Sequence, residues 1–119
     1  MEKLRILVAD PLSEEGLSVL RRIEGAVIEI KTGLDETGLA EAVPGVQALV
    51  IRSGVKVTRR VIESADCLKV IGRAGVGVDN VDLDAATERG IVVMNTPSGN
   101  TVAAAEHTWG ILLALARKI

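Results

Sequence analysis

The chain has 119 residues, of which 48% are hydrophobic and 25% charged, and its 16 acidic and 14 basic residues give a formal net charge of -2. This composition is typical of one folded globular domain and excludes a disordered or collagen-like chain. There is no basic run, and Trp109 is the only aromatic residue. The sequence therefore lacks both the charge and the stacking surfaces of a nucleic-acid-binding protein.

Cysteine and histidine are too scarce for two further classes of site. Cys67 is the only cysteine, so no internal disulfide can form, and a single histidine leaves no Cys/His cluster at metal-ligand spacing. We expect no metal site. The N-terminal apolar run is too short for a signal-peptide core or a membrane span, so we expect a cytoplasmic protein.

The first half of the chain repeats a strand–helix unit. Short apolar runs that end in turn residues predict strands, and a capping residue before each following apolar pattern predicts a helix. The predicted strands are Leu4–Ala9, Ala26–Ile30 and Val46–Ile51, and the predicted helix caps are Ser13, Asp35 and Thr58. Hydrophobic pairs at staple spacing flank these caps, namely Leu12 with Leu17, Leu34 with Leu39, and Val57 with Ile62.

A fourth strand, centred on Val70 and Ile71, leads into the glycine-rich stretch KVIGRAGVGVDNVD. Asp82 then begins a short helix that Gly90 ends, and the fifth strand follows at Ile91–Met94. The loop NTPSGN comes next. An Ala- and Leu-rich helix is predicted over Thr101–Ile119, and Glu106 interrupts its apolar run, which argues against a membrane span.

Regular alternation of strands and helices predicts an α/β fold with right-handed crossovers. We expect a flavodoxin-like, five-stranded parallel sheet in the order 2-1-3-4-5, with helices on both faces. Ligands in such folds bind outside the carboxyl ends of the strands. Here those ends carry polar residues and glycines: Asp10, Arg52 with Ser53, Arg73 to Gly77, and Asn95 to Asn100.

The glycine-rich turn is a candidate anion site. Gly72, Gly75 and Gly77 permit positive φ and close approach, and with Arg73 and free backbone amides the turn is suited to a carboxylate or phosphate. Asn80 stands where a dinucleotide fingerprint has its third glycine, and no acidic residue follows at the expected distance, so we exclude a nucleotide site here. The alternative is a turn that uses glycine only for its backbone freedom.

Five side chains, one of them Arg73 of this turn, have competing interpretations. Arg52 and Arg73 are either a pair that grips an anion or two solvated surface arginines. Asp10 follows the first strand, as in phosphoacceptor receiver domains, but Arg52 replaces the second aspartate that such a site needs, so Asp10 is interpreted as a turn residue beside Pro11. His107 is interpreted as a helix-surface or interface residue, and Cys67 as a small packed hydrophobe.

Three stretches together resemble a known family: VIRSGVKVT, LKVIGRAGVGVDNVDLDAATERGIVVMNTPSGNT and AAEHTWGILLALAR. In order and spacing they resemble the N-terminal part of the D-2-hydroxyacid dehydrogenases, and the resemblance covers essentially the whole chain. It implies a parent oxidoreductase that uses NAD to oxidise 3-phosphoglycerate in serine biosynthesis. Such a parent has a substrate-binding domain and a separate Rossmann domain.

The resemblance also implies roles for individual residues. The expected contacts to the substrate's carboxylate or phosphate are Arg52, Ser53, Arg73, Ala74, Gly75 and Asn100. Val76 and Glu106 are expected near the cofactor, although Val76 stands where many relatives have a threonine and carries no hydroxyl.

The resemblance further implies that the family's GxGxxG fingerprint and its catalytic Arg, Glu and His lie beyond the last residue of this chain. We therefore expect residues 1–119 to be a single substrate-binding domain, a fragment without the Rossmann NAD domain. Alone it would have no catalytic residue, bind no cofactor and bind 3-phosphoglycerate weakly. The alternative is a structural or interaction module that binds no ligand and forms a domain-swapped homodimer through the last helix, which carries Leu112, Leu113 and Leu115. A receiver-type signalling domain is a remote third hypothesis.

Overall fold

The computed structural model describes residues 4–75 and 77–95 of the chain. Within these ranges strands and helices alternate as the sequence predicts. The elements are β1 (Leu4–Val8), α1 (Glu14–Arg21), β2 (Ala26–Ile30), α2 (Glu36–Ala42), β3 (Ala48–Ile51), α3 (Arg59–Ser64), β4 (Val70–Arg73), α4 (Leu83–Glu88) and β5 (Val92–Asn95). The helix predicted over 101–119, and the swapped dimer that depends on it, lie outside the described residues.

The five strands form one sheet in the order β2-β1-β3-β4-β5. Every pairing is parallel, and the central register aligns Leu7, Leu49, Ile71 and Val93. Because parallel neighbours require a crossover on a face of the sheet, each helix lies against the strands it connects. The α/β fold class and the strand order are therefore confirmed.

The starts of two strands differ from the prediction. β3 begins two residues late because the chain is still turning at Val46, whose N–H group donates to the Val43 carbonyl at 3.0 Å. β5 begins one residue late because Ile91 is part of the turn that ends α4, and its N–H group donates to the Ala86 carbonyl at 2.9 Å. Val46 and Ile91 are both buried, so their apolar character marks burial rather than strand pairing.

Each helix begins at the predicted residue. The four N-cap side chains accept a hydrogen bond from the backbone N–H group three residues later, which satisfies one of the otherwise unpaired donors of the first turn. The pairs are Ser13 with Gly16 (3.2 Å), Asp35 with Gly38 (2.7 Å), Thr58 with Val61 (3.4 Å) and Asp82 with Ala85 (3.0 Å). Gly25, Gly45 and Gly90 follow helices at positive φ, where glycine is unstrained.

Helices cover both faces of the sheet. On one face α1 forms a cluster with alternate residues of three strands, made of Leu4, Ile6, Val8, Leu17, Leu20, Ala48, Val50 and Val70. On the other face α2, α3 and α4 pack on Leu7, Leu49, Ile51 and Ile71 through Leu39, Ala40, Val61, Ile62, Ala85 and Ala86. The alternation places successive residues of each strand in opposite clusters. Among the described residues no helix is both long and apolar enough to span a bilayer.

Polar contacts join the three helices of the second face. Glu36 of α2 accepts hydrogen bonds from Thr58, the α3 cap, at 2.6 Å and from Arg60 at 3.4 Å. These contacts, chiefly the one from Thr58, hold the pKa of the Glu36 carboxyl below its ordinary value. Arg59 of α3 donates to Glu88 of α4 at 2.6 Å. Side-chain hydrogen bonds therefore connect α2 to α3 and α3 to α4.

Replacing Leu49 by alanine should destabilise the domain by about 2–5 kcal/mol, because the leucine is 0% exposed and its loss leaves a cavity in the middle of the sheet. Leu83→Ala is the matched control, since that leucine is 44% exposed, and it should change the free energy of unfolding by less than about 0.5 kcal/mol. Urea unfolding followed by circular dichroism measures both values. Equal losses in the two variants would contradict the packing described above.

Glu29→Gln should lower the Tm at pH 7, by an amount that shrinks as the pH falls below the ordinary Glu29 pKa of 4.5. Arg5 donates to Glu29 through Nε at 3.2 Å and Nη2 at 2.6 Å, and this contact lowers the pKa of that carboxyl in the folded chain. A lowered folded pKa stabilises the fold above the unfolded pKa, and that contribution is lost as the pH falls through the folded pKa.

Thermal unfolding of both proteins between pH 3 and pH 7 checks this prediction. The free energies of unfolding at pH 7 should differ by no more than about 1 kcal/mol, because the pair is partly exposed. The control is Glu41→Gln, at an exposed position of α2, which should melt with the parent chain throughout. A Glu29→Gln difference that is constant with pH would rule out the ion pair as its cause.

Candidate functional site

Polar residues and glycines follow three adjacent strands at their carboxyl ends. Asp10 comes two residues after β1, Arg52 to Gly54 come directly after β3, and Arg73 is the last residue of β4. Since β1, β3 and β4 are neighbours in a parallel sheet, the three loops emerge at one edge. This edge, from Asp10 through the Arg52–Val55 loop to the glycine-rich turn 73–82, is the candidate site.

Asp10 is buried, with 5% of its surface exposed, and no other polar or charged residue of the described ranges is buried to this degree. Its Oδ2 accepts the backbone N–H group of Arg52 at 2.7 Å. Burial of a carboxylate is unfavourable unless it accepts hydrogen bonds, and here the donor comes from the neighbouring loop. The structure thus differs from the interpretation of Asp10 as a residue that only shapes the turn before Pro11.

Gly54 lies against the second oxygen of the same carboxylate. A Cβ atom at this position would lie 2.3 Å from Oδ1 of Asp10, which is closer than any carbon–oxygen contact allows. Gly54 does not adopt positive φ, so the requirement for glycine here comes from space and not from backbone conformation. The carboxylate and the loop therefore fit together only when residue 54 has no side chain.

Asn80 holds the same loop through two of its carbonyl groups. Its Nδ2 group donates to the carbonyls of Arg52 at 2.8 Å and Val55 at 2.7 Å. Two carbonyl partners require the amide nitrogen, and not the oxygen, to face the loop. The residue that breaks the dinucleotide fingerprint is thus a structural link between the loops that follow β3 and β4.

Backbone pairing continues this link. Val57 and Val81 form a parallel bridge in which the Val57 N–H group donates to the Asn80 carbonyl at 2.8 Å and the Asp82 N–H group donates to the Val57 carbonyl at 2.9 Å. Asp82 is the N-cap of α4, and Thr58, which follows Val57, is the N-cap of α3. The two site loops therefore reach their helices as a joined pair.

Arg73 pairs in register with Ile51 and Asn95, and its side chain curls over the turn that follows. Nη1 donates to the Gly77 carbonyl, and a Cβ atom on Gly75 would lie 2.9 Å from Nη1. Gly75 therefore leaves room for the guanidinium. Nε of Arg73 is buried and has no hydrogen-bond partner among the described residues.

The structure corrects part of what the sequence led us to expect of this turn, namely free backbone amides and glycines that could adopt positive φ. The Ala74 N–H group donates to the Ile51 carbonyl at 2.8 Å, and the Gly75 N–H group donates to the Arg73 carbonyl at 2.9 Å, so neither is free. Gly72 and Gly75 are not among the glycines with positive φ. Close approach of a side chain, and not backbone conformation, accounts for glycine at position 75.

Arg52 and Ser53 are exposed, and the Arg52 guanidinium uses one of its five N–H donors to reach the Pro11 carbonyl at 3.3 Å. The backbone N–H groups of Ser53 and Gly54 donate to no residue of the described ranges. These exposed residues thus carry a guanidinium, a hydroxyl and two amides that have no backbone partner among the described residues. Such donors suit a carboxylate or a phosphate.

The other residues singled out in the sequence fall into two groups. Val76, Asn100, Glu106 and His107 lie outside the described residues. Cys67 is half-buried and precedes β4, so it lies at the opposite edge of the sheet. The His, Cys, Asp and Glu side chains in the described part of the chain form no group of three that could hold a metal ion.

Comparison with known proteins agrees with the resemblance noted in the sequence. Residues 6–116 match the profile described as D-isomer specific 2-hydroxyacid dehydrogenase, catalytic domain. A D-3-phosphoglycerate dehydrogenase of Archaeoglobus fulgidus is 52% identical over 116 residues, which cover 98% of this chain and 22% of the relative. The chain thus spans about a fifth of the length of the curated relatives that it matches.

Solved structures give the same assignment. A crystal structure of a Pyrococcus horikoshii protein superposes with a TM-score of 0.77 at 32% identity, over 98% of this chain and 34% of the other. An Entamoeba histolytica 3-phosphoglycerate dehydrogenase with bound NAD+ superposes with a TM-score of 0.69 at 30% identity, over 80% of this chain and 33% of the other. The chain therefore belongs to the D-isomer specific 2-hydroxyacid dehydrogenase family.

Proposed function

We propose that residues 1–119 form the substrate-binding domain of an NAD-dependent dehydrogenase that oxidises 3-phosphoglycerate in serine biosynthesis. The observation that carries this proposal is the set of donors on the exposed residues Arg52, Ser53 and Gly54, in a loop that Asp10 and Asn80 hold by hydrogen bonds. Curated relatives that are 48–52% identical are named D-3-phosphoglycerate dehydrogenase, which supports this substrate class.

The substrate has an anionic group at each end, a carboxylate and a phosphate, with the reacting hydroxyl between them. We assign one anionic group to the Arg52–Gly54 donors, because a guanidinium and adjacent amides form charge-assisted hydrogen bonds with anionic oxygens. As the resemblance implies, we place the other beside Arg73, Ala74, Gly75 and Asn100. Arg73 supplies the positive charge there, because the Ala74 and Gly75 amides already donate to carbonyls. Two anchors at separate loops would fix the direction of the hydroxyl, which is the contribution of a substrate domain to hydride transfer.

The described residues do not fit NAD. The glycine-rich turn carries Asn80 in place of the third fingerprint glycine, and the amide group of Asn80 is already bonded to two carbonyls. The Ala74 and Gly75 amides are also taken up by carbonyls. We therefore propose that NAD binds to another part of the parent enzyme, with Val76 and Glu106 at its border, and that this chain alone binds no cofactor and has no catalytic residue.

Titration of the chain with 3-phosphoglycerate should shift the amide NMR signals of Ser53, Gly54 and residues 73–77, with a Kd of about 1 mM. Arg52→Gln and Arg73→Gln should each raise the Kd about tenfold, because each removes charge-assisted hydrogen bonds to the ligand. Low ionic strength is used because salt screens the exposed guanidinium of Arg52.

The control for this titration is Arg21→Gln, which removes the same charge at the end of α1, away from the loops that follow β1, β3 and β4. It should bind as the parent chain does. No signal change up to millimolar ligand would reject the proposed function. Equal weakening by all three substitutions would show only a response to net charge.

Incubation of the chain with NAD and 3-phosphoglycerate should yield no NADH. We assign both the general base that takes the hydroxyl proton and the NAD-binding cleft to other parts of the parent enzyme. NADH absorbance is the measurement, and a full-length D-3-phosphoglycerate dehydrogenase under the same conditions is the positive control. Turnover by the 119-residue chain that scales with its concentration would contradict the assignment of this chain to substrate binding alone.

A further inference from the structure

We infer that Asp10 and Asn80 are positioning residues of the anion site, which hold the Arg52–Val55 loop so that its outer donors face the ligand. This inference rests on the proposed function and adds two residues to it. Neither side chain would touch the substrate. Asp10 acts on the loop through the Arg52 N–H group, and Asn80 acts through the carbonyls of Arg52 and Val55.

The polar groups of the loop divide into two sets. The first set consists of the Arg52 N–H group and the Arg52 and Val55 carbonyls, and the side chains of Asp10 and Asn80 bind all three at 2.7–2.8 Å. The second set consists of the Arg52 guanidinium and the Ser53 and Gly54 N–H groups, of which the amides have no backbone partner in the described ranges. Since the second set lies on or between the residues of the first, holding the first set restricts the positions of the second.

Attraction of the ligand does not explain Asp10. A buried carboxylate behind the loop repels an anion, so its charge opposes binding by the exposed donors. Its geometry has the opposite effect, because Oδ2 holds the Arg52 N–H group while Oδ1 occupies the space beside Gly54. If position is the role of this side chain, a neutral residue of the same shape should serve as well as the carboxylate.

Substitution of Asn80 tests the position of the same loop independently of Asp10. The amide nitrogen of Asn80 donates to two carbonyls. An isosteric carboxylate at this position would place an oxygen there, and that oxygen can only accept hydrogen bonds, so both would be lost. Asn80→Asp should therefore release the loop without any change in side-chain volume. Release from the Asn80 side should weaken ligand binding as release from the Asp10 side does.

The test measures the Kd for 3-phosphoglycerate by NMR titration, together with hydrogen exchange of the Arg52 amide. Asp10→Ala and Asn80→Asp should each raise the Kd about tenfold, and Asp10→Ala should also speed exchange of that amide about tenfold. Asp10→Asn should bind within about threefold of the parent chain, because its side-chain oxygen can still accept the Arg52 N–H group. Asp84→Ala, which removes the same charge from the exposed surface of α4, should bind unchanged.

Gly54→Ala completes a double-mutant cycle. Its methyl group cannot coexist with Oδ1 of Asp10, so the single variant should raise the Kd. The Asp10→Ala/Gly54→Ala double variant should bind no more weakly than Asp10→Ala, since removal of the carboxylate makes room for the methyl group. This non-additivity distinguishes a specific fit from general damage to the loop.

Several outcomes would overturn the inference. If the parent chain binds, and Asp10→Ala and Asn80→Asp both fold and bind with the Kd of the parent chain, the positioning role is rejected and the proposed function stands. If Asp10→Asn binds as weakly as Asp10→Ala, the charge of Asp10 matters and its position does not. If the parent chain does not bind, the proposed function fails and this inference fails with it. Should Asp10→Ala not fold, Asn80→Asp and Gly54→Ala decide the question.

Discussion

Parallel pairing of the five strands is the constraint on which the rest of this structure depends. A parallel neighbour can be reached only by crossing a face of the sheet, so every strand must be followed by a helix or an equivalent crossover. The same rule directs all the strands one way and brings their carboxyl ends to a single edge. Residues 10, 52, 73 and 80 are distant in the chain, and they meet because of this rule.

Burial on both faces follows from the same pairing. α1 covers one face and α2, α3 and α4 cover the other, so the central strands β1, β3 and β4 are apolar at almost every position. Side chains that need water are excluded from the strands and collect in the loops at their ends. The division between a dry sheet and a polar edge is thus a result of topology, and the candidate site occupies the polar part.

Local rules predicted most of the fold. N-caps and the glycines that end helices act within a few residues of their own position, and apolar runs mark the strands, so element order and strand order followed from the sequence. Strand starts were less accurate because burial looks the same in a turn and in a strand, as Val46 and Ile91 demonstrate.

The support of the candidate site could not be predicted in the same way. The Asp10–Arg52 contact spans 42 residues, and the contacts of Asn80 with Arg52 and Val55 span 28 and 25. Such hydrogen bonds depend on how loops from different strands face each other, and a local sequence pattern does not determine that arrangement. A weak signal existed, because Asp10 is an acidic residue two positions after a buried strand and Asn80 stands at a fingerprint glycine position.

The bridge between Val57 and Val81 has a consequence for how this edge can change in length. The stretch from Arg52 to Val57 and the stretch from Arg73 to Asp82 are fastened together by Asn80 and by two backbone hydrogen bonds. An inserted or deleted residue in one stretch would shift its carbonyls out of reach of the other. The two loops therefore have a common register, like paired strands, and a viable change of length in one requires a compensating change in its neighbour.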